Sequence, residues 1–200
     1  MSNRFAFHLE LILVLAMCAC GSAPITYDYA REPDPRKSEY VIGVSDRLAI
    51  KVWKNPDLST DAIVRPDGTI TLPLLGDLKA SGRTPTALRA DIQKLLGNYI
   101  RDESAVVTVA ITAVMSYSFT VSGNVEHPGV FTSEKYVTIV DAVQLAGGLN
   151  RYASPEQTQI LRPGKDGKMR VIPVDFPAVQ AGKQPEANIA LIAGDRVFVP

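Results

Sequence analysis

The stretch Tyr40–Pro73, YVIGVSDRLAIKVWKNPDLSTDAIVRPDGTITLP, decides how the first half of the chain folds. It contains three short runs with the period-two pattern of half-buried strands. In the first run, the apolar residues at alternate positions are Leu48, Ile50 and Val52. The second run is Ile63-Val64, and in the third, Thr69–Leu72, hydroxyl side chains alternate with apolar ones. The pattern predicts a small, β-rich scaffold.

Between the second and third runs lies the tetrapeptide Arg65-Pro66-Asp67-Gly68. Proline fixes φ, an aspartate side chain can bond its own backbone, and glycine adopts positive φ without strain. This order of residues predicts a hairpin turn that joins the two flanking strands.

A helix and a further strand are predicted to complete a first module over residues 40–114. Thr84 is a candidate N-cap with Pro85 at the first helical position. Apolar residues then recur at helical spacing, which indicates one buried face: Leu88, Ile92, Leu95, Leu96 and Tyr99. The segment Ala105–Thr112 alternates again as a strand, and a core role for the helical stripe is strongly favoured over a partner groove.

A second module is predicted over residues 115–200. Tyr117, Phe119 and Val121 alternate with hydroxyl residues as in a strand, and Thr138 to Asp141 resembles a capping box that opens a helix. Gly147-Gly148 is typical of a helix C-terminus. Three further strands and a hairpin turn are predicted at Gln159–Arg162, Met169–Val174, Arg196–Val199 and Gly164–Gly167. The chain as a whole is therefore expected to be α+β.

Both modules resemble known domains. Tyr40-x-Ile42-Gly43-x-x-Asp46, Val52-Trp53 and Arg65-Pro66-Asp67-Gly68-Thr69-Ile70-x-Leu72-Pro73 resemble the N-terminal module of the outer-membrane polysaccharide export (OPX, Wza-type) family. Val44-Ser45 departs from the Pro-Gly pair usual there. The second module resembles a soluble-ligand-binding β-grasp (SLBB) domain through Val121-x-Gly123-x-Val125-x-x-Pro128-Gly129, Val143-x-x-Ala146-Gly147-Gly148-Leu149 and Ala193-Gly194-Asp195-x-Val197. The resemblance implies a mixed helix and sheet module followed by a β-grasp-like module.

The N-terminal residues are typical of an export signal. Residues 1–20 combine Arg4 with the apolar run Leu11–Ala16, which is too short to span a bilayer. The run ends in Met17-Cys18-Ala19-Cys20-Gly21, which resembles a lipobox, and Cys20 is preferred over Cys18 as the lipidated residue because a small residue precedes it. A plain secretory signal with incidental cysteines is the alternative. Residues 21–39 show no hydrophobic period and are predicted to form a flexible linker.

Charge balance and residue counts argue against several classes of function. Lysine plus arginine and aspartate plus glutamate both number 21, and this balance argues against a nucleic-acid binder. Both cysteines lie at Cys18 and Cys20, so the body of the chain offers no thiolate metal site. His127 precedes Pro-Gly and is expected to be a loop residue. No catalytic constellation and no cofactor are predicted, although a pair of glycosidase carboxylates is not excluded by sequence.

Three aromatic residues, Trp53, Tyr117 and Tyr136, have side chains able to stack on sugar rings. For each of them, a place in the core or in a contact between subunits is the favoured interpretation. Asp67 and Asp195 each lie beside a glycine, where bonding to the local backbone explains an aspartate.

The resemblance implies that function depends on assembly. A ring-forming lipoprotein on the periplasmic face of the outer membrane would conduct a polysaccharide, with an inner-membrane polysaccharide copolymerase as one partner. Longer relatives cross the membrane with a C-terminal amphipathic helix, whereas here the sequence stops after its last predicted strand at Pro200. We therefore expect a separate outer-membrane β-barrel porin as the second partner. The alternatives are a monomeric periplasmic glycan-binding lipoprotein and, less favoured, a polysaccharide-cleaving enzyme.

Overall fold

Two hydrophobic cores organise the described chain, which comprises residues 26–99, 106–164 and 167–200 of a computed structural model. One core is built from residues between Ile42 and Val107, and the other from residues between Tyr117 and Val199 together with Tyr29. Helices and sheets occur in both, so the predicted α+β class is confirmed. Within these ranges, no helix combines the length and the apolar character needed to cross a membrane.

The first module is a three-stranded antiparallel sheet, a β-hairpin and one helix. Strand β1 lies in the centre of the sheet between β2 and β5, while β3 pairs only with β4 among the described strands. Helix α1 packs against β5. The elements are β1 Arg47–Val52, β2 Thr60–Ile63, β3 Thr69–Leu72, β4 Gly76–Lys79, α1 Pro85–Leu96 and β5 Val107–Ala113.

The core of the first module follows the predicted periodicity. On β1, the alternating apolar residues Leu48, Ile50 and Val52 are buried, and α1 buries Leu88, Ile92 and Leu96. Full burial of such a side chain contributes about 1.5–3 kcal/mol. Tyr99 lies beyond α1 and its side chain is 61% exposed, so the helical stripe is shorter than predicted. Ala105, where the following strand was predicted to begin, lies outside the described residues.

The turn at Arg65–Gly68 forms, but the predicted hairpin between its flanking strands is wrong. The Gly68 N–H donates to Arg65 O at 2.8 Å, and the Arg65 N–H donates to Thr69 O at 2.9 Å. Beyond this turn the strands diverge, because β2 pairs with β1 and β3 pairs with β4. Strand β2 pairs with β1 in the register Arg47 to Ile63, and among the described strands its other edge forms no ladder with β3. The turn therefore connects two separate sheets.

The second module is a five-stranded sheet in the order β7-β6-β10-β8-β9. Strand β10 lies in the centre, parallel to β6 and antiparallel to β8. The β8–β9 hairpin is closed by Gly164 N–H to Lys168 O at 2.8 Å, although Lys165 and Asp166 of the predicted turn lie outside the described residues. The elements are β6 Ser118–Gly123, β7 Gly129–Thr132, α2 Ile139–Leu145, β8 Thr158–Pro163, β9 Met169–Val174, α3 Phe176–Gln180 and β10 Arg196–Val199.

The segment before the first module is not the flexible linker that the sequence predicted, at least from Thr26 onward. Tyr29 is only 6% exposed and belongs to the core of the second module, where its hydroxyl donates to Pro173 O at 2.8 Å. Glu32 is also buried. The prediction failed because single side chains, rather than a periodic stripe, anchor this segment. Cys18 and Cys20 lie outside the described residues.

Candidate functional site

The Arg65–Gly68 turn carries an exposed cluster of charges. The Arg65 guanidinium bonds Asp67 at 2.8 Å and Asp77 at 3.0 and 3.1 Å. The Asp67 carboxylate also accepts the Thr69 N–H at 3.0 Å, as an aspartate in a turn is expected to do. The hydrogen bond from Arg65 lowers the pKa of Asp67 well below its usual range. Pro66 and the positive φ of Gly68, 78°, fix the backbone beneath this cluster.

Asp46 joins the two modules. Its side chain is fully buried, and its carboxylate accepts the Tyr40 hydroxyl at 2.7 Å and the Gly43 N–H at 2.8 Å. It also accepts the N–H groups of Met115 and Ser116, each at 2.8 Å, where the chain enters the second module. Burial opposes ionisation, but these hydrogen bonds outweigh it and lower the pKa of Asp46. An ionised Asp46 therefore holds the entry and the exit of the first module together.

Arg162 is the centre of a buried ionic network in the second module. Its side chain is 1% exposed and donates to Asp195 at 2.7 Å and to Glu32 at 2.9 Å. It also donates to Ala190 O at 3.0 Å. Arg170, whose side chain is half-exposed, donates to Glu32 at 2.9 and 3.2 Å. Because Glu32 precedes the first module and Arg162 lies on β8, the network fixes the N-terminal segment to the second module.

Glu32 is held in its ionised form by this network. Burial favours the protonated acid, but hydrogen bonds from Tyr27 and Arg170 and the charges of Arg162 and Arg170 lower its pKa. The Tyr27 hydroxyl donates to the carboxylate at 2.6 Å. Farther along the same segment, Glu39 accepts the Thr86 N–H at 3.0 Å in the first turn of α1. We call residues 26–39 the N-terminal strap, since they contact both modules.

The network shows what sequence reasoning missed. The sequence predicts that Asp195 bonds the local backbone of a turn, and its carboxylate does accept the Ile192 N–H at 2.9 Å. It is also fully buried and binds Arg162, which is 33 positions away. No local spacing signals such a pair; a lone arginine within the apolar alternation of β8 was the available hint.

Glycines of the SLBB-like motif adopt backbone conformations that residues with a Cβ disfavour. Gly123 has φ 88°, and a Cβ there would overlap the carbonyl of Val199 on the neighbouring strand. Gly147, with φ 82°, and Gly148, with φ 90°, end α2 as a C-cap requires, with Gly148 N–H bonded to Val143 O at 2.9 Å. Among the remaining motif residues, Pro128 directly precedes β7, Gly129 is the first residue of β7, and Gly194, with φ 86°, lies in the connection before β10.

His127 is an exposed loop residue whose N–H donates to Ala146 O at 2.8 Å. Across residues 26–99, 106–164 and 167–200, no three His, Cys, Asp or Glu side chains come together as a metal-binding group would. The expectation that the chain is not an enzyme stays a prediction.

The aromatic residues separate into two groups. Tyr117 is 3% exposed, its hydroxyl donates to Leu191 O at 3.2 Å, and the edge of its ring meets Tyr136 with the centroids 5.2 Å apart. Tyr117 therefore belongs to the core of the second module, and Tyr136 packs against it. Trp53 is 66% exposed at the end of β1, so a core role is excluded for it. It lines a surface cleft of about 410 Å³ together with Lys51, Val52, Lys54, Pro56, Ser59, Val106 and Thr108.

Comparison with known proteins places each module. Residues 34–112 match the family model described as "Polysaccharide biosynthesis/export protein", and residues 118–173 match the SLBB domain. The two matches follow each other in the order that the sequence resemblance indicated, and together they take in the Arg65–Gly68 turn, Asp46 and Arg162.

Two curated relatives extend the comparison. The Exopolysaccharide production protein ExoF of Rhizobium meliloti (strain 1021) is 34% identical over 164 residues, which cover 75% of this chain and 35% of the relative. The Capsule polysaccharide export protein BexD of Haemophilus influenzae is 27% identical over 176 residues, which cover 78% of this chain and 42% of the relative. The chain thus spans less than half the length of these relatives. A polysaccharide biosynthesis/export module followed by an SLBB domain places this chain in the outer-membrane polysaccharide export family.

Proposed function

We propose that the protein is a periplasmic, ring-forming lipoprotein component of a channel that exports capsular or extracellular polysaccharide across the outer membrane. The observation that carries the proposal is the order and joining of the two modules. Both relatives are named for polysaccharide production or export. In this chain, Asp46 and the N-terminal strap fix one module to the other through buried hydrogen bonds and ion pairs.

A rigid joint is what closure of a ring demands. Head-to-tail subunits close only if the angle between their two different contact faces is fixed, since a variable angle gives open chains. Exposed apolar side chains occur on both modules, among them Ile63, 57% exposed, on the first and Val130, 72% exposed, on the second. A contact between such different surfaces would be heterologous.

An anchor at Cys20 would hold the ring at the membrane. Lipid attached to this cysteine lies only a few residues before the strap, so the second module would be kept close to the bilayer surface. An inner-membrane polysaccharide copolymerase would deliver the polymer, and a separate outer-membrane porin would receive it.

Mass measurement of the lipidated protein in detergent tests the assembly. We expect a ring of many copies, and loss of surface polysaccharide when the gene is deleted. A monomer whose deletion leaves secretion unchanged overturns the proposal. A monomer that still binds the polymer would instead favour a periplasmic glycan-binding lipoprotein, for which the exposed Trp53 is the supporting observation.

Matched cysteine variants test the anchor. Cys20→Ser should abolish labelling with a palmitate analogue and release the protein from the membrane fraction. Cys18→Ser, a change of the same kind two positions away, should leave both unchanged. If labelling persists in Cys20→Ser and disappears in Cys18→Ser, the lipidated residue is Cys18. If neither the unmodified protein nor the variants are labelled, the protein is not lipid-anchored.

A further inference from the structure

The side chain of Trp53 lies in water while its backbone is fixed. The indole is 66% exposed, yet the Trp53 N–H donates to Val106 O at 2.9 Å and the Asn55 side-chain amide donates to Trp53 O at 3.1 Å. A large apolar ring that remains exposed contributes little to folding. Carried on a backbone that these hydrogen bonds hold in place, the ring presents an apolar surface to a partner instead.

The cleft beside this ring has the size and lining of a small-ligand site. Its volume of about 410 Å³ falls within the range of roughly 300–1,000 Å³ usual for such sites. Trp53, Pro56 and Val106 supply apolar surface, and Thr108 supplies a hydroxyl.

The charge of the cleft is positive. Lys51 and Lys54 line it, and no carboxylate is among its described lining residues. Lys51 bonds Asp61 at 3.1 Å, but both side chains are well exposed, and such a pair is weak in water. Among the described residues, Lys54 has no acidic partner. The cores of contacts between proteins are depleted in lysine, so this pair favours a polar, anionic ligand over a second subunit.

The backbone conformation of Lys54 also supports a binding role for this residue. Its φ is 59°, in the left-handed region that disfavours side chains with a Cβ and suits glycine or asparagine. A lysine at such a position adds strain without any packing benefit, since the residue is exposed. Strain of this kind concentrates at binding sites, where the side chain itself is needed.

We propose that the Trp53 cleft binds an acidic sugar residue of a polysaccharide, with the sugar ring against the indole and its carboxylate between Lys51 and Lys54. This inference rests on the proposed function, because it assigns the polymer contact of that same protein. The apolar face of a sugar ring packs against an aromatic ring as other apolar groups do, and the indole of Trp53 offers such a ring. The ammonium groups then select a uronate over a neutral sugar.

The test uses the full chain and its own fluorophore, since Trp53 is the single tryptophan. Emission is followed during titration with hexamers of galacturonate, glucuronate and mannuronate, and with the methyl-esterified galacturonate hexamer. We expect at least one uronate to change the emission and to bind at least ten-fold more tightly than the ester, with an affinity that falls as salt is added. Trp53→Ala, measured by calorimetry, should lose this binding, while Tyr152→Ala on the second module should keep it.

Lys54→Gly gives a signature that a structural role would not produce. Removal of the charge should weaken uronate binding at least three-fold, whereas relief of the positive φ should raise the thermal midpoint by about 2–4 °C. Weaker binding together with a more stable fold would separate recognition from folding.

Three results would overturn the proposal: none of the uronates binds, the ester binds as well as the acid, or Trp53→Ala changes the mass of the assembly in detergent rather than sugar binding. The last result would make the cleft a contact between copies. If sugar binding fails while ring mass and polysaccharide secretion remain, only this inference fails. If the protein is a monomer that secretion does not need, the proposed function fails as well.

Discussion

Substitution of Glu32 tests whether the N-terminal strap is a structural part of the second module. Glu32→Gln keeps the size of the side chain and removes its charge. The carboxylate accepts bonds from Arg162 at 2.9 Å, from Arg170 at 2.9 and 3.2 Å and from Tyr27 at 2.6 Å. The amide keeps one acceptor oxygen and places an NH₂ group among these donors.

The loss of unfolding free energy depends on how deeply the ion pair is buried and on the partners that Arg162 and Arg170 keep. Breaking a fully buried ion pair costs about 3–5 kcal/mol, because one charge is left uncompensated. Here Arg162 keeps Asp195 at 2.7 Å and Ala190 O at 3.0 Å, and Arg170 is half-exposed to water. Both facts reduce the loss to about 2–3 kcal/mol of unfolding free energy. For a chain of this size, that loss corresponds to about 4–12 °C in thermal midpoint.

Urea unfolding followed by circular dichroism at pH 7 measures the loss, and hydrogen exchange of residues 26–33 shows whether the strap detaches first. Glu134→Gln is the matched control, since Glu134 is exposed and the same chemical change there should alter stability by less than about 0.5 kcal/mol. If Glu32→Gln is as stable as this control, or if exchange in the strap does not increase, the network does not fix the strap and our reasoning is wrong.

Three further predictions concern the glycines, the carboxylates and the turn. Gly123→Ala and Gly148→Ala should each lower the unfolding free energy by about 1–2 kcal/mol, because both residues have a left-handed backbone. Gly123→Ala should lower it clearly more, because its methyl group would push β10 away from β6. Equal thermal midpoints for the two variants would refute this. Asp46 and Glu32 have lowered pKa values, so the unfolded chain binds protons first as pH falls, and the stability they contribute should be complete above about pH 5 and decline below about pH 4. A urea midpoint that stays constant between pH 7 and pH 3 would contradict this. Arg65→Ala should change the thermal midpoint far less than Glu32→Gln does, because its ion pairs lie in water, and a large drop would show that the turn cluster stabilises the fold.

Periodic patterns in the sequence predicted the elements well. The alternation of Leu48, Ile50 and Val52 and the helical spacing of Leu88, Ile92 and Leu96 both place their residues in the core. These patterns work because strands and helices have fixed periods, so a buried face must repeat with them.

Strand pairing and ion pairs between distant residues do not follow from periodic patterns. The Arg65–Gly68 turn has the residues of a hairpin turn, yet β2 pairs with β1 and β3 pairs with β4, and no local signal in the turn selects these partners. Glu32, Arg162 and Asp195 meet in space with separations of 130 and 33 positions, and no periodic rule connects them. The exposed Trp53 could be named from sequence as a candidate for sugar stacking, but only burial could separate it from Tyr117.

The central place of β10 has a consequence for how the molecule forms. The last strand fills the gap between β6 and β8, and the residue just before it, Asp195, supplies the counter-charge for Arg162. Tyr29 and Glu32 bind residues of the β8–β9 hairpin, and among the described strands this hairpin joins the rest of the sheet only through β10. Closure of such distant contacts is entropically slow, so the strap is expected to dock in the final stage of folding, and a nascent chain short of residue 195 would leave it undocked.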